Sequence, residues 1–132
     1  MSITVKRDLS QPMRHIVHVR DHIVSTDLEL DEGGTDAGPN PHDLYDAALG
    51  ACKALTLLWY AKRKNIGLTD IQVQVDRDNS QERQGVYKLA TTIALMGDLT
   101  GAQREELLGV ARKCPVHKLM SSVTTEITTE LA

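Results

Sequence analysis

Residues 40–66 constrain this chain more than any other stretch, because they read as one long helix that is apolar nearly all round. Asn40 suits an N-cap, Pro41 suits the first helical position, and Asp43 gives a capping-box-like start. Lys62, Arg63 and Lys64 stand at the end where the helix dipole favours cations, and Gly67 is the expected stop. Between these signals, Leu44 to Ala61 offers no broad polar face. Such a helix has to be wrapped by other structure. A chain of 132 residues makes one domain, expected to span residues 1–132. A single small domain cannot cover this helix, so a homodimer is expected.

The flanking segments read as strands. Ile3 and Val5, then Val17 and Val19, then Val24, Thr26, Leu28 and Leu30 alternate with period two, which predicts two or three short antiparallel strands. Residues 31–39 form a Gly-rich loop without periodicity. Two further strands are predicted around Ile71/Val73/Val75 and Tyr87/Leu89/Thr91/Ile93/Leu95, with residues 76–85 as the hairpin loop. Thr100 and Gln103 form a capping box for a second helix, which runs to about Lys113 because Pro115 lies ahead. A helical turn over residues 115–121 precedes a last strand, with Val123, Thr125, Ile127, Thr129 and Leu131 alternating. The order βββ-α-ββ-α-α-β lacks βαβ alternation and predicts an α+β fold with an antiparallel sheet.

Composition narrows the function. Aromatic residues make up 3% of the chain, with no Phe, which disfavours the stacking platforms of nucleic-acid binders. The formal net charge of −3 supplies no field to attract phosphate. No Walker, G-x-G-x-x-G or G-x-S-x-G pattern occurs. The N-terminus carries charges within its first eight residues and no apolar core, so no signal peptide is expected. The longest largely apolar stretch, Leu55 to Ala61, is too short to cross a bilayer. A cytoplasmic protein with no membrane or nucleic-acid partner is the expectation.

Two cysteines are too few for a secreted disulfide scaffold, so their chemistry becomes the question. Cys52 lies mid-helix and shares a face with Ala48, Leu55 and Trp59, which is equally the setting of a small buried hydrophobe. Cys114 precedes Pro115 at a helix junction. There it reads either as a plain core thiol or as the N-cap of the short helix, with its pKa lowered by the helix end and by His117 and Lys118. No metal site is expected: His15, His18 and His22 diverge on a pleated strand, and Cys114 with His117 is half a zinc site.

The run from Gly38 through Cys52 to Leu57, followed by Tyr60-Ala-Lys-Arg-Lys, closely resembles the first cysteine motif of the OsmC/Ohr family. Ala111-Arg-Lys-Cys114-Pro-Val-His-Lys-Leu resembles its second, and the order of elements fits over essentially the whole chain. The resemblance implies an antiparallel sheet wrapped around a long central helix in an intertwined homodimer, with sites at the subunit interface. It implies a cofactor-free, peroxiredoxin-like peroxidase in oxidative-stress defence, reducing organic hydroperoxides with electrons from a dithiol of a small molecule or protein. The peroxidatic role falls on Cys52 and the resolving role on Cys114, joined as a disulfide in turnover. The family's arginine falls on Arg20, because Arg20-Asp-His-Ile-Val-Ser-Thr-Asp27 resembles the stretch after it; Arg14 and Arg7 are the other candidates.

Two departures accompany the resemblance. The family's glutamate, ten residues before the first cysteine, is replaced by His42. Asp43 is adjacent, yet helix neighbours point about 100° apart, so it is no automatic substitute. Lys53 follows Cys52 where the best-characterised members carry an aromatic residue. His42, Asp43 and His117 are therefore candidates for a supporting shell around the thiols. These departures place the chain in a less characterised OsmC-like branch. They also leave two other readings: a protein of this fold that binds an apolar ligand at the dimer interface without efficient turnover, and a thioesterase-like fold, which leaves the Cys-Pro motif unexplained.

Overall fold

The computed structural model describes residues 1–132. It resolves into two compact units, Met1–Tyr45 and Asp46–Ala132, with the division inside the long helix. The first unit carries strands β1 (Ile3–Arg7), β2 (His15–Val19) and β3 (His22–Thr26), a 3-10 turn over Leu30–Glu32, and the start of helix α1 (Pro41–Arg63). The second carries the rest of α1, strands β4 (Leu68–Asp78) and β5 (Lys88–Gly97), and helices α2 (Gly101–Ala111) and α3 (Pro115–Ser121). Both sheets are antiparallel, ordered β1-β2-β3 and β4-β5, and the fold is α+β as the alternation predicts.

In the first unit Val5 faces Val17, and Val17 faces Val24, so the period-two residues meet across the sheet. Leu28 and Leu30 do not extend β3. The chain leaves the sheet at Asp27, a buried carboxylate that accepts from Leu28 N (2.8 Å), Thr35 Oγ1 (2.8 Å) and Ala37 N (3.1 Å). Burial alone would raise the Asp27 pKa, but these hydrogen bonds overturn that effect and hold it below the usual value. One carboxylate thereby organises the loop that the sequence marks only as irregular.

Helix α1 starts as its capping signals predict. Asp43 N donates to Asn40 Oδ1 (2.8 Å) and Asn40 N donates to an Asp43 carboxylate oxygen (3.0 Å). Its end differs from expectation: Asn65, with φ of 53°, takes the left-handed position expected of Gly67. Ile66 N donates to Ala61 O (2.9 Å) and Asn65 N reaches Lys62 O (3.5 Å), and Ile66 packs against the core containing Ala61. This is the Schellman arrangement, in which a left-handed Asn serves because its own amide and that of Ile66 satisfy carbonyls of the last turn.

The second unit is built on one stripe of α1. Asp46, Leu49, Gly50, Lys53, Leu57 and Ala61 are its buried residues. Leu57 and Ala61 join Leu107 and Ala111 of α2 in the core, with Ile71, Ile93 and Leu95 packed against them. Strand β4 runs to Asp78, so residues 76–78 belong to the ladder and not to the loop. That extension keeps Arg77 on the same half-buried face as Val73 and Val75. Helix and sheet approach closely at Gly50, where a Cβ would stand 3.0 Å from Val75 Cγ2. Helix α2 is capped in both directions between Thr100 and Gln103, and Tyr60 donates to Glu106 (2.5 Å) to tie α1 to α2.

The expected last strand does not form in the single chain. Residues 123–132 carry no ladder and are exposed, with Ile127 81% and Leu131 99% accessible. Alternating residues make a strand only where an edge takes their backbone groups, and this segment pairs with no strand of the single chain. The core claim is checked by Leu57→Ala, since Leu57 is fully buried. It should lower unfolding free energy by about 2–5 kcal/mol in chemical denaturation, whereas the same change at exposed Leu131 should be nearly silent.

Candidate functional site

The sequence-predicted thiols come together in the second unit. Both cysteines are free: Cys52 is half-buried on α1, and Cys114 is completely buried at the α2–α3 junction. Cys52 Sγ lies 3.9 Å from Thr56 Oγ1, one turn further along the helix. The Cys52 thiol is also close enough to Cys114 to act on its titration.

Next to Cys52 on α1 stands Lys53, only 3% exposed. Its Nζ donates to Ala111 O (2.7 Å) and to His117 Nδ1 (2.9 Å). An ammonium can only donate, so His117 Nδ1 accepts and the ring proton resides on Nε2. Burial first, then the charge of Lys53, lowers the His117 pKa and keeps the ring neutral. A neutral imidazole and a carbonyl therefore hold a buried cation that has no carboxylate partner among its hydrogen bonds.

Of the two readings of Cys114, the structure favours the buried core thiol over the one with a depressed pKa. Burial pushes the thiol up, the backbone N–H of His117 pulls it down, the Cys52 thiol raises it, and Lys53 lowers it; the net direction is upward. Although Cys114 occupies the N-cap position of α3, its side chain closes no capping hydrogen bond. Desolvation of a fully buried sulfur outweighs the short helix. The cation that acts on it is Lys53 from α1 and not Lys118, while His117 acts through its backbone N–H.

The other predicted residues lie in the first unit. Arg20 stands exposed at the β2–β3 hairpin tip with φ of 53°. Arg14 is half-buried beside Asp8 (3.6 Å) and Ser25 Oγ (3.3 Å), and Arg7 reaches Pro12 O (3.4 Å). His42 is exposed in the first turn of α1. The Asp43 carboxylate is engaged by the helix cap. Three exposed carboxylates, Glu29, Asp31 and Glu32, gather at the 3-10 turn, a solvated acidic cluster remote in sequence from both thiols.

Sequence reasoning noted Lys53 as a departure but missed its burial, and it missed a second polar group entirely. Asp46, 7% exposed, accepts from Arg77 Nε (2.5 Å) and from Tyr87 Oη (2.7 Å). Burial and the Asp46 hydrogen bond push the Tyr87 pKa up to about 12. The available signal was spacing: Lys53 lies midway between Leu49 and Leu57 on an i+4 stripe, and Asp46 precedes Gly50 on the same face.

Comparison with known proteins bears on this arrangement. Residues 33–130 match the family model described as OsmC-like protein. No curated protein matches the chain. Among solved structures, the OsmC-like protein from Mycoplasma pneumoniae aligns with a TM-score of 0.74 at 19% identity, covering 92% of this chain and 87% of that one. The organic hydroperoxide resistance protein OsmC from Legionella pneumophila aligns at 0.65 and 20% identity, covering 92% and 88%. The organic hydroperoxide resistance protein OhrB of Bacillus subtilis aligns at 0.59 and 24% identity, covering 92% and 90%.

The neutral His117 makes stability pH-dependent. Unfolded, the imidazole takes up its proton near pH 6.5; folded, it does so only at lower pH. Between those values the unfolded chain binds more protons, so stability falls as pH drops below about 6.5 and is level in this term above it. Denaturation midpoints of His117→Asn, which keeps an acceptor for Lys53, should fall less steeply over that window than those of the unaltered protein.

Proposed function

The chain belongs to the OsmC-like family, and on that premise we propose that it is a thiol-dependent peroxidase reducing organic hydroperoxides, acting as a single OsmC-like domain within a cytoplasmic homodimer. The observation that carries this reading is the pairing of a half-buried Cys52 with a fully buried Cys114 in one unit. Relatives of the same fold that are named organic hydroperoxide resistance proteins support the substrate class.

The two environments suit two roles. Cys52, the more accessible thiol, attacks the peroxide as its thiolate; the O–O bond breaks, the alcohol leaves with a proton, and Cys52 becomes a sulfenic acid. Cys114 then condenses with it, losing water and forming the Cys52–Cys114 disulfide. An external dithiol returns both sulfurs to thiols by exchange. Arg20 is the proposed guanidinium for the Cys52 thiolate and the peroxide oxygen, since its planar fork can hold both. The Asp43 carboxylate already accepts from Asn40 at the start of the helix, and no carboxylate clamp is assigned to His42 or Asp43.

Surfaces left open by one chain support the homodimer. Leu55 and Trp59 of α1 are 68% and 60% exposed, and Val123, Ile127 and Leu131 form an unpaired alternating stripe. A second copy would cover the first and offer an edge to the second.

Steady-state assays with an organic hydroperoxide and a dithiol test the proposal. Cys52→Ser should reduce turnover to background. Cys114→Ser should consume a single equivalent of peroxide per chain and then stall as sulfenic acid or over-oxidise. Full turnover by Cys52→Ser contradicts the mechanism.

A further inference from the structure

Lys53 is the one charged side chain in the buried stripe of α1 whose hydrogen-bond partners are both neutral. Its two partners belong to residues three before and three after Cys114, so the ammonium is anchored on both sides of that thiol. Three protons are available on the ammonium and two are accounted for by Ala111 O and His117 Nδ1. A lone buried charge is costly unless something compensates it. Here the nearby group that can become an anion is a thiol.

We propose that Lys53 is the counter-cation of the Cys114 thiolate, fixed beside that sulfur by the Ala111 carbonyl and the His117 ring. The titratable and charged groups that face Cys114 are Cys52 and Lys53 from α1 and His117 from α3. Of these, Lys53 alone carries a charge that favours the anion, and its field opposes the rise that burial imposes. His117 is a positioning residue: its neutral Nδ1 holds the ammonium without neutralising it.

The role in turnover rests on the peroxidase reading above. When the Cys114 sulfur attacks the sulfenic Cys52, an S–S bond forms and the S–O bond breaks. The leaving hydroxide takes the proton that Cys114 has shed, and water departs. Cys114 sulfur is oxidised and Cys52 sulfur is reduced to the disulfide level. In the reverse sense, a dithiol attacking the more accessible Cys52 expels Cys114 as a thiolate, the same anion that Lys53 faces. Lys53 thus serves both the closing and the opening of one disulfide.

The test isolates the Cys114 thiol. In Cys52→Ser protein, ultraviolet absorbance of the thiolate is followed against pH. Adding Lys53→Met should raise the apparent pKa of Cys114 by about one unit or more. Lys53→Gln, which keeps a hydrogen-bond donor without the charge, should raise it similarly. His117→Ala, which leaves the lysine in place, should shift it in the same direction by less. With Cys52 restored, Lys53→Met should slow disulfide formation after one equivalent of hydroperoxide by about tenfold at neutral pH, recovering at higher pH. A Cys114 titration unmoved in all three variants overturns the proposal, even if peroxidase turnover is normal. A shifted titration in a protein whose thiols ignore hydroperoxide retains the counter-cation and removes the peroxidase reading.

Discussion

The contact of α1 with the β4–β5 sheet and α2 governs the second unit. Gly50 lets the helix lie against Val75, and Leu57 and Ala61 close the core with Leu107 and Ala111. Everything chemical is set by what else that stripe carries. Asp46 enters the sheet side and draws in Arg77 and Tyr87, while Lys53 enters the α2–α3 junction and takes hold of Ala111 and His117. Cys52 is the residue next to Lys53, turned about 100° away, and it reaches toward Cys114 from a half-buried position. A shift of the helix along the sheet would move all of these groups together.

The thiol pair is best understood as a balance between desolvation and charge. Burial of Cys114 favours the neutral thiol. Lys53 works against that burial by supplying a positive charge in a medium where charges act strongly. His117 can hold the lysine only while it is neutral, and the same burial that raises the thiol keeps the imidazole deprotonated. Three titratable groups from two helices are therefore interdependent.

Much of this was legible in the residues. Capping chemistry at Asn40/Asp43 and Thr100/Gln103 is local and fixed the helix starts, and period two located the strands. The Cys-Pro junction marked the break between α2 and α3. What could not be read depends on contacts across long stretches of chain. Residues 76–78 look like loop because they are polar, yet they continue β4 since Arg77 finds Asp46. The tail alternates like a strand, but alternation does not supply an edge. The choice between the two readings of Cys114 could not be made from its neighbours in sequence, because burial and Lys53 come from elsewhere in the fold. Asn65 displaced Gly67 as the helix stop because Asn tolerates the left-handed region.

The account turns on Cys52 and Cys114 being the two ends of one redox couple. The direct measurement is peptide mapping by mass spectrometry, without reductant, after the reduced protein meets one equivalent of an organic hydroperoxide. The predicted result is loss of both free thiols and a single cross-linked species joining the Cys52 and Cys114 peptides of the same chain. Two intact thiols, or a sulfenic Cys52 beside an untouched Cys114, would contradict it.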